Sequence, residues 1–484
     1  MNHEIQEHGT GRVSEVLDDV IMGAQLVPLS QAVEVNPKID RSALHDDLDV
    51  SFVPMAAVEA LTGGIDVSTI RKYAEVKKGY THFRDGDILF AKVTPCMENG
   101  KMAIARQLIN GVGFGSTEFH VLRPRAGVDA RYIYYFVSSQ TFLKEASGHM
   151  TGAVGLRRVP SAYLEEQLIP LPGIEQQREI VAELEKQFSR LDEAVANLQR
   201  VKVNLKRYKA SVLKDAVEGR LVPLESELAR REGRSFETGE QLLQRILEVR
   251  RSGWQGRGKY KVPVAQDMNE LFALPDGWTA ASVEQLTSLV EYGSSARTNE
   301  DSAGVPVLRM GNIFNGELVF DNLKYLPTDH DEFPKLFVEP GDLLFNRTNS
   351  PELVGKTAVF KGAAQPFAYA SYLIRIRVVN GYAPDFLAGF LNSSHGREWV
   401  KRVVTQQVGQ ANVNGTKLQA LVVPLPPCVE QRRIVSELER RLSLISGVKS
   451  EVDANLNRAQ ALRQAMLMKC FHVEPGAKKR MKLV

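Results

Sequence analysis

The sequence predicts an α+β protein in which two similar mixed α/β domains are separated by an antiparallel coiled coil of two long helices, as a pseudo-two-fold internal repeat. Two observations favour this fold class. The segment Gln177-Arg178-Glu179-Ile180-Val181 recurs 254 residues later as Gln431-Arg432-Arg433-Ile434-Val435, a separation of about half the 484-residue chain. Each copy also opens a long stretch with apolar residues at steps of three and four, which is typical of helices that pack along a seam.

The repeat extends through most of the chain with one small change of spacing. Gly86-Asp87-Ile88-Leu89-Phe90 recurs as Gly341-Asp342-Leu343-Leu344-Phe345, at a separation of 255 residues. The separation is still 255 at Ser116, which matches Ser371, and it is 254 from Phe136 onwards. We therefore expect a one-residue deletion between Ser116 and Phe136.

Both repeated domains consist of short apolar runs separated by Gly, Pro, Asn and Asp, a pattern typical of strands and turns. A stretch with helical spacing interrupts these runs at 129–146. The two copies differ most where we expect loops, which are 62–80 against 321–335 and 92–99 against 346–354. A shared scaffold with unlike loops is how one fold carries two specificities.

These patterns divide the chain into seven segments. They are a polar N-terminal segment (1–22), a first domain (23–172), a first long helix (173–218), a charged connector (219–273), a second domain (274–426), a second long helix (427–472) and a basic tail (473–484). In the connector, Thr238 and Gln241 have the spacing of a helix capping box. The basic, glycine-rich stretch that follows indicates either a flexible linker or a docking arm for a partner.

Each long helix presents one narrow apolar stripe. The predicted seam residues are Ile180, Leu184, Phe188, Leu191, Leu198 and Leu205 in the first helix, and Ile434, Leu438, Leu442, Ile445, Val452 and Leu462 in the second. A narrow stripe on so long a helix favours a coiled coil. Because a second domain follows the first helix and must return the chain, we expect an antiparallel pair. The alternative is two surface helices, each packed on its own domain.

Composition indicates an ordinary globular protein from a reducing compartment. Hydrophobic residues make up 43% and charged residues 25%, and the formal net charge of +3 neither demands nor excludes nucleic acid. Cys96, Cys428 and Cys470 are far apart and lack the spacing of a zinc site. The first twenty residues are too polar for a signal peptide, and no apolar run approaches the roughly 18 residues that span a bilayer. We therefore expect a cytoplasmic protein with no membrane contact.

No catalytic motif is complete. The stretch from Gly253 to Lys259 has the spacing of a phosphate-binding loop, but Tyr260 stands where Ser or Thr would hold magnesium, and a predicted helix rather than a strand precedes it. Asp87 and Asp342 lie in Gly-Asp turns before apolar strands, where a hydrogen-bonded turn is favoured over a nuclease or metal site. We predict that the chain has no catalytic residue and no metal ligand.

Polar side chains that can bond to base edges are concentrated at corresponding places in the two domains. The first domain offers Lys92, Thr94, Lys101, Arg157 and Arg158, and the second offers Asn346, Arg347, Thr348, Asn349, Lys356, Gln406, Gln407, Gln410 and Asn412. For any one of them, the alternative is a solvated loop residue. As matching sets, they predict two DNA-binding surfaces, and their differences indicate two different half-sites.

Several motifs resemble the specificity subunit of Type I restriction–modification enzymes. They are Gly277-Trp278, the two Gly-Asp turns with their strands, Ser116-Thr117-Glu118-Phe119, Pro170-Leu171-Pro172 followed by Glu175-Gln176-Gln177-Arg178-Glu179-Ile180-Val181, and Ala216-Val217-Glu218-Gly219-Arg220-Leu221. The resemblance covers about 23–472. It implies two target-recognition domains, each reading one half of a split, asymmetric DNA sequence through the major groove, while the helix pair fixes the spacer.

The resemblance also implies partners in a prokaryotic cell. Two modification (methyltransferase) subunits would dock on the helix pair and bring S-adenosylmethionine, and restriction subunits would bring ATP- and Mg-dependent cleavage, whereas this chain would bind no cofactor. One departure is Ala24, which stands where the second copy has Trp278. Another is that Phe471-His472-Val473-Glu474-Pro475 follows the second helix in place of Val217-Glu218-Gly219-Arg220-Leu221. The alternative class is a coiled-coil assembly protein whose two sheet domains bind protein rather than DNA.

Overall fold

A computed structural model of the chain describes residues 24–40, 44–153, 155–253, 259–263, 271–407 and 410–471. The predicted polar segment at 1–22 and the predicted basic tail at 473–484 lie outside these residues. The chain forms two compact units. Unit 1 takes its described residues from Met1–Gln199 and Asp453–Val484, and unit 2 takes them from Arg200–Val452.

Unit 1 is built from short strands and short helices, followed by the first long helix. Its strands are β1 (Gln25–Pro28), β2 (Val33–Val35), β3 (Asp49–Val53), β4 (Ile70–Lys72), β5 (Thr81–Arg84), β6 (Ile88–Ala91), β7 (Met102–Ile104), β8 (Val112–Gly115), β9 (Phe119–Pro124), β10 (Thr151–Ala153), β11 (Leu156–Arg158) and β12 (Leu168–Leu171). Its helices are α1 (Leu29–Ala32), α2 (Tyr73–Val76), α3 (Ala130–Val137), α4 (Gln140–Gly148), α5 (Ser161–Glu166) and the first part of α6 (Ile174–Val217).

Two four-stranded sheets form the body of unit 1. The first has the order β2-β9-β6-β7 and is antiparallel, and the second has the order β4-β3-β8-β5 with β3 and β8 parallel. The buried side chains of Ile88 and Phe90 from the first sheet share a core with Phe136 of α3. The helical stretch predicted at 129–146 is two helices, because the Ser139 side chain accepts a hydrogen bond from the amide of Phe142 and caps a new helix.

Unit 2 repeats this plan. Its strands are β13 (Thr279–Ser282), β14 (Thr287–Tyr292), β15 (Val305–Leu308), β16 (Ile313–Phe314), β17 (Glu317–Leu318), β18 (Lys324–Leu326), β19 (Leu343–Asn346), β20 (Thr348–Asn349), β21 (Thr357–Val359), β22 (Ala368–Tyr369), β23 (Leu373–Val378), β24 (Thr405–Gln407), β25 (Gln410–Asn412) and β26 (Val422–Leu425). Its helices are α7 (Glu225–Glu232), α8 (Gly239–Ser252), α9 (Val283–Leu286), α10 (Pro384–Asn392), α11 (Ser394–Val403), α12 (Gly415–Ala420) and the first part of α13 (Cys428–Phe471).

The main sheet of unit 2, β14-β23-β19-β21, matches β2-β9-β6-β7 of unit 1 strand for strand. The pair β13-β26 likewise matches β1-β12, and the sheet β18-β15-β22 has its counterpart in the second sheet of unit 1. The segments expected as loops carry short elements instead: β4 and α2 lie within 62–80, and β18 lies within 321–335. Short strands with few apolar residues gave too weak a pattern to be found from the sequence.

The strand pairing shows that the one-residue deletion lies earlier in the repeat than the sequence comparison indicated. The register opposes Phe52 to Phe114 in unit 1 and Val307 to Ala368 in unit 2. Phe52 and Val307 are 255 residues apart, whereas Phe114 and Ala368 are 254 apart, so the separation has already changed at β8. Our placement of the deletion after Ser116 was therefore wrong, because a serine next to the true counterpart produced a false match.

A buried glutamine fixes the start of the first long helix in unit 1. The Gln177 side chain is 1% exposed. Its Oε1 accepts a hydrogen bond from the amide of Asp129 at 2.9 Å, and its Nε2 donates to the carbonyl oxygens of Pro172 at 2.8 Å and Gly127 at 3.4 Å. The amide therefore ties the first turn of α6 both to the end of the Pro-Leu-Pro strand and to the loop before α3.

The same arrangement recurs in unit 2. The Gln431 side chain is also 1% exposed. Its Oε1 accepts from the amide of Ala383 at 2.7 Å, and its Nε2 donates to the carbonyl oxygens of Pro426 at 2.8 Å and Gly381 at 3.1 Å. Because a side-chain amide has fixed donor and acceptor ends, three such bonds define the direction in which the helix leaves its unit.

In each unit, the early part of one long helix lies beside the late part of the other. In unit 1, the Arg463 guanidinium lies 4.3 Å from the ring centre of Phe188, and it pairs with Asp192 at 2.8 Å. In unit 2, Leu213 near the end of α6 and Leu438 near the start of α13 belong to one buried cluster. The antiparallel sense of the helix pair is therefore as predicted.

The predicted seam residues differ in burial. Those that are buried are Ile180, Leu184, Phe188, Ile434, Leu438, Ile445 and Val452, and those that are partly buried are Leu191, Leu198, Leu205 and Leu442. Leu462 is 46% exposed, so its assignment to the seam was wrong. The seam position at this point of the second helix is 463 instead. It is occupied by an arginine, whose guanidinium lies against the Phe188 ring. The predicted alternative also holds in part, since the first turns of each helix share a core with their own unit.

The connector is folded onto unit 2 over α7 and α8. The capping box predicted for Thr238 and Gln241 is present, with the amide of Gln241 donating to the Thr238 hydroxyl at 3.3 Å and the reciprocal bond at 2.9 Å. Leu242 and Ile246 of α8 are buried in the main cluster of unit 2. Over these helices, the connector is therefore not a flexible linker, while 254–258 and 264–270 lie outside the described residues.

The replacement of tryptophan by Ala24 in unit 1 is accompanied by a second replacement, at the residue that the tryptophan contacts in unit 2. In unit 2, the indole of Trp278 donates to the buried carboxylate of Glu430 at 2.9 Å, and Glu430 also accepts from the amide of Glu225 at 2.9 Å. Burial raises the pKa of Glu430, and these hydrogen bonds oppose that shift. At the matching position of unit 1, Gln176 replaces the glutamate, so the tryptophan and its acidic acceptor are absent together.

The aspartates of the two Gly-Asp turns are structural. In unit 1, both oxygens of the buried Asp87 carboxylate accept from Arg123 at 2.8 and 2.7 Å, and in unit 2, Asp342 accepts from Arg377 at 2.7 and 2.8 Å. Each carboxylate also accepts a backbone amide of its own turn, that of Arg84 or Glu339. The hydrogen-bonded turn favoured by the sequence is therefore present in both units.

Replacing Gln431 with Met keeps the volume but leaves the Ala383 amide and the Pro426 carbonyl without a partner. We expect unfolding of unit 2 to become easier by about 1–3 kcal/mol, because buried backbone groups lose their hydrogen bonds. The control is Arg432→Ala at the exposed neighbouring position, for which the expected change is below about 0.5 kcal/mol. Denaturant titration checks both, and equal midpoints for the two variants would contradict the role given to Gln431.

Candidate nucleic-acid interface

Many of the sequence-predicted contact residues of unit 1 meet in a small ribbon beside the main sheet. Strands β10 and β11 form an antiparallel hairpin in which Thr151 lies opposite Arg158. The segment that follows β6 joins the hairpin as a third strand, since Val93 bridges to Arg158. Next to it, the amide of Thr94 donates to the carbonyl of Arg157 at 3.0 Å, and the amide of Arg157 donates to the Thr94 hydroxyl at 3.1 Å. We call this three-stranded arrangement the ribbon of unit 1.

Unit 2 has the same ribbon. Strand β25 lies between β20 and β24, and in the backbone register Asn412 pairs with Thr348 on one side and with Thr405 on the other. The backbone of Gln406, Gln407 and Gln410 belongs to this ribbon, and their side chains lie outside the described part of the structure. In both units, the ribbon continues from the strand that follows the Gly-Asp turn, so the rigid turn positions it.

An ion pair holds the principal arginine of the unit 1 ribbon. The Nε and Nη2 atoms of Arg158 donate to the two carboxylate oxygens of Glu118 at 2.8 and 2.6 Å, and the arginine side chain remains 40% exposed. The hydrogen bond from Arg158 lowers the pKa of Glu118. Lys92 lies beside them, and burial lowers its pKa, as does the charge of Arg158, while Glu118 opposes the shift. The Glu118 carboxylate therefore holds Arg158, and the charge of Lys92 lies close to both.

An aromatic ring holds the corresponding arginine of unit 2. The Arg347 guanidinium lies 4.8 Å from the ring centre of Tyr292. Its Nη1 donates to the carbonyl of Ser371, and its Nη2 donates to the Oδ1 of Asn412, both at 3.3 Å. The tyrosine is fixed in turn, because its hydroxyl accepts the amide of Gly415 at 2.7 Å. Stacking and hydrogen bonds thus orient the plane of the guanidinium.

Corresponding positions of the two ribbons carry different chemistry. Lys92 of unit 1 corresponds to Arg347 of unit 2, and Arg158 corresponds to Asn412. Arginine and lysine suit the acceptor edge of guanine, whereas asparagine suits the mixed donor and acceptor edge of adenine. The scaffold is therefore the same in both units, and the side chains that could read a base are not.

Some predicted contact residues are placed elsewhere. Asn346 and Thr348 are buried, with exposures of 1% and 8%, so these two side chains do not lie on the surface and were wrongly included. Asn346 instead donates to the carbonyl of Leu353 at 3.4 Å. Alternation along a strand sends every second side chain inward, and the sequence alone did not show where the alternation began.

The two lysines after the ribbon strands bond or pack within their own units. The Lys101 ammonium donates to the carbonyl of Met55 at 3.1 Å. Lys356 is half-buried, and burial lowers its pKa, with repulsion from Arg397 acting in the same direction. Neither belongs to the group of side chains that meets at its ribbon, so both remain predictions as DNA contacts.

Two further predicted residues lie at the ribbon edges. Arg157 is 42% exposed and lies 3.5 Å from the carboxylate of Glu98. Asn349 accepts the amide of Ser350 at 2.8 Å and is half-buried. Both can therefore reach solvent, and both stay predicted DNA contacts.

Sequence reasoning missed the two residues that orient the arginines. Glu118 lies in the Ser-Thr-Glu-Phe motif, and its position opposite Arg158 follows only from the pairing of β6 with β9 and of Val93 with β11. Tyr292 is 55 residues before Arg347, and no local pattern connects them. The sequence offered one indication for Glu118, which is a charged residue directly before a central strand. It offered none for Tyr292.

Within the described ranges, no group of three or more His, Cys, Asp or Glu residues could hold a metal ion. In the same part of the chain, none of the helices combines the length and apolar character needed to cross a membrane.

Comparison with known proteins identifies the family. The family model for the Type I restriction modification DNA specificity domain matches residues 25–201 and 275–454. The EcoAI specificity subunit of Escherichia coli is 27% identical over 92% of this chain and 82% of its own length. The EcoKI specificity subunit of Escherichia coli strain K12 is 25% identical over 73% of this chain and 67% of its own.

A solved structure of the type I R-M system, which concerns its complex assembly and conformational transition, has the same fold. It matches 92% of this chain and 97% of its own with a TM-score of 0.63 at 20% identity. Because the family model covers most of the chain and matches it twice, the chain belongs to the Type I restriction–modification DNA specificity family. It is accordingly the DNA sequence-recognition subunit of a multisubunit complex and is not catalytic by itself, and the alternative of a protein-binding adaptor is not favoured.

Replacing Tyr292 with Ala removes the ring beneath Arg347, and we expect specific DNA binding by the assembled complex to weaken about tenfold, as loss of a cation–π contact implies. The matched control is Tyr292→Phe, which keeps the ring and loses only the hydroxyl that accepts the Gly415 amide, so its binding should weaken clearly less than that of the alanine variant. Fluorescence titration with DNA carrying the sequence that the complex methylates measures both. Binding of the alanine variant at wild-type strength would remove Arg347 from the interface.

Proposed function

We propose that each unit reads one half of a bipartite, asymmetric DNA site and that the helix pair sets the spacer between the halves. The observation that carries this proposal is the pair of matching ribbons. Each is attached at the same place on the same scaffold, yet Lys92 and Arg158 of one stand where the other has Arg347 and Asn412. Two copies of one reading device with different side chains imply two different half-sites.

The ribbons have suitable chemistry for the major groove. A strand ribbon fits that groove, and each well-placed bidentate contact to a base discriminates by about 1–3 kcal/mol. The Arg158 guanidinium uses Nε and Nη2 for Glu118, so its Nη1 still points away from the carboxylate. Basic side chains that reach phosphate add affinity that falls as salt rises. We assign base reading to the ribbon side chains, and Arg157 and Asn349 are the next candidates.

The long helices have the properties of a rigid spacer. Each contains 44 residues, which corresponds to about 66 Å of helix. The buried Gln177 and Gln431 fix the angle at which each helix leaves its unit. A helix of set length that starts at a set angle transmits a fixed distance, whereas a flexible linker would allow many spacers.

Partner subunits complete the enzyme in this proposal. Two modification subunits dock on the helix pair and supply S-adenosylmethionine for adenine methylation, and restriction subunits supply ATP- and Mg-dependent cleavage. Exposed apolar residues on the helices support a docking role, and these are Val201, Val203, Tyr208, Leu444 and Val448. Apolar side chains clustered on exposed helices mark protein contacts more often than isolated ones do.

Exchanging residues 24–170 for the matching part of a relative should change one half of the methylated sequence and leave the spacer and the other half as they were. The matched control is the exchange of 278–424, which should change only the other half. Methylation mapping in cells that express each chimaera reads the result. A change in both halves from either exchange would refute separate reading by the two units.

Removing seven residues from each long helix should shorten the spacer by about 3 base pairs, since two turns span about 10 Å and one base pair about 3.4 Å. The deletions belong between Asp192 and Lys209 on α6 and between Ser446 and Arg463 on α13. They then leave the Asp192–Arg463 ion pair of unit 1 and the Lys209 contacts of unit 2 intact. Methylation mapping should recover both original half-sites, and an unchanged spacer would contradict the role of the helices.

A further inference from the structure

Unit 2 contains an open cleft whose counterpart in unit 1 is nearly closed. The cleft has a volume of about 590 Å³ and lies where α6, α10, α13 and the β16–β17 hairpin meet. Its walls include Leu213, Leu438 and Leu442, and Ala388 and Gly389 form part of its floor. At the corresponding place in unit 1, only about 20 Å³ remains. We call the larger space the unit 2 cleft.

Aromatic rings close the corresponding place in unit 1. The ring centres of Tyr134 and Tyr135 are 5.3 Å apart, and those of Tyr135 and Phe188 are 5.6 Å apart, with the rings edge to face. The Arg463 guanidinium covers the Phe188 ring at 4.3 Å. Burial raises the pKa of Tyr135 to about 12, which agrees with an enclosed phenol. Unit 1 therefore shows what fills this position of the scaffold.

Every one of these side chains has a smaller counterpart in unit 2. At the repeat separation of 254 residues, the pairs are Tyr134 with Ala388, Tyr135 with Gly389, Phe188 with Leu442, and Arg463 with Lys209. Four replacements that all remove volume at one place produce the cleft together. Some apolar surface remains exposed inside the cleft, and a partner that covers it removes that surface from water, which favours binding.

The charges at the mouth of the unit 2 cleft suit an aromatic ring. Lys209 stands where unit 1 has the arginine that covers Phe188, and its ammonium donates to the carbonyl of Asn315 at 2.8 Å. Burial lowers the pKa of Lys209. An ammonium with part of its water removed attracts the face of an aromatic ring. The other lysine, Lys361, is already paired with Asp385 and Glu439.

We propose that the unit 2 cleft receives a tyrosine or phenylalanine side chain carried on a helix of a modification subunit, and that unit 1 offers no equivalent site. The inserted ring takes the space that Tyr135 and Phe188 fill in unit 1, with Lys209 at its face. The small residues Gly389 and Ser443 leave room for a helix of the partner to approach the three helices that line the cleft. This inference rests on the proposed docking of modification subunits, and it makes the two docking sites inequivalent.

The test fills the cleft with the side chains that unit 1 uses. The variant Gly389→Tyr with Leu442→Phe is titrated with the purified modification subunit, and the number of bound subunits and each Kd are measured by calorimetry. We expect one of the two binding steps to weaken about 30-fold, as loss of a buried aromatic anchor implies, and the other to keep its wild-type Kd. The matched control is Leu462→Phe, the same leucine-to-phenylalanine change at an exposed position of the same helix that lies outside the proposed docking residues.

The outcomes separate this inference from the function on which it rests. If the wild-type chain binds no modification subunit, both are overturned. If wild-type and filled chains bind two subunits alike, only the inference is overturned, as it also is if filling the cleft instead dissolves a dimer of this chain. Leu442→Phe alone guards against misfolding: it should melt like the wild type and weaken the same step to a smaller degree, and an unchanged step would count against the cleft.

Discussion

The architecture depends on one buried side-chain amide at the start of each long helix. Gln177 and Gln431 each bond to three backbone groups that belong to the preceding strand and to a loop of the same unit. All three bonds are lost together if the helix turns or slides, because the amide has only one orientation that satisfies its two ends. The recurring Pro-Leu-Pro followed by Gln-Arg therefore marks in the sequence the place where each helix is fixed to its unit. The proposed spacer role requires such a fixed starting direction.

The units separate what must stay constant from what must vary. Buried aspartate–arginine pairs, such as Asp87 with Arg123, hold the turn from which each ribbon extends, and they have the same geometry in both units. The ribbon side chains are free to differ, because they lie beyond that turn at the edge of the sheet. The arginines there are held by unlike means, Arg158 by a carboxylate and Arg347 by a ring. One backbone can thus support two recognition chemistries, and the unit 2 cleft shows the same freedom on the helix side.

Periodicity and duplication were enough to predict the fold class, the two long helices, their antiparallel sense and the capped connector helix. These features are local or repeat themselves, so the chain displays them directly. The errors arose where tertiary packing, and not a local pattern, decides the position of a side chain. Asn346 and Thr348 were misplaced because the facing of a short strand is set by tertiary packing, and Leu462 was misplaced because an arginine replaces an apolar residue at the true seam position. Tyr292 could not be found, because its contact with the ribbon spans a long loop closure that no local pattern records.

Methylation mapping of cells with and without this gene tests the central claim most directly. If the two units read different half-sites and the helix pair sets the spacer, as proposed, methylated adenines lie in a single motif made of two different specific halves around a gap of constant length, and that motif is lost completely without the gene. A methylation pattern that the gene does not affect, a contiguous motif, or halves separated by gaps of several lengths would contradict the account.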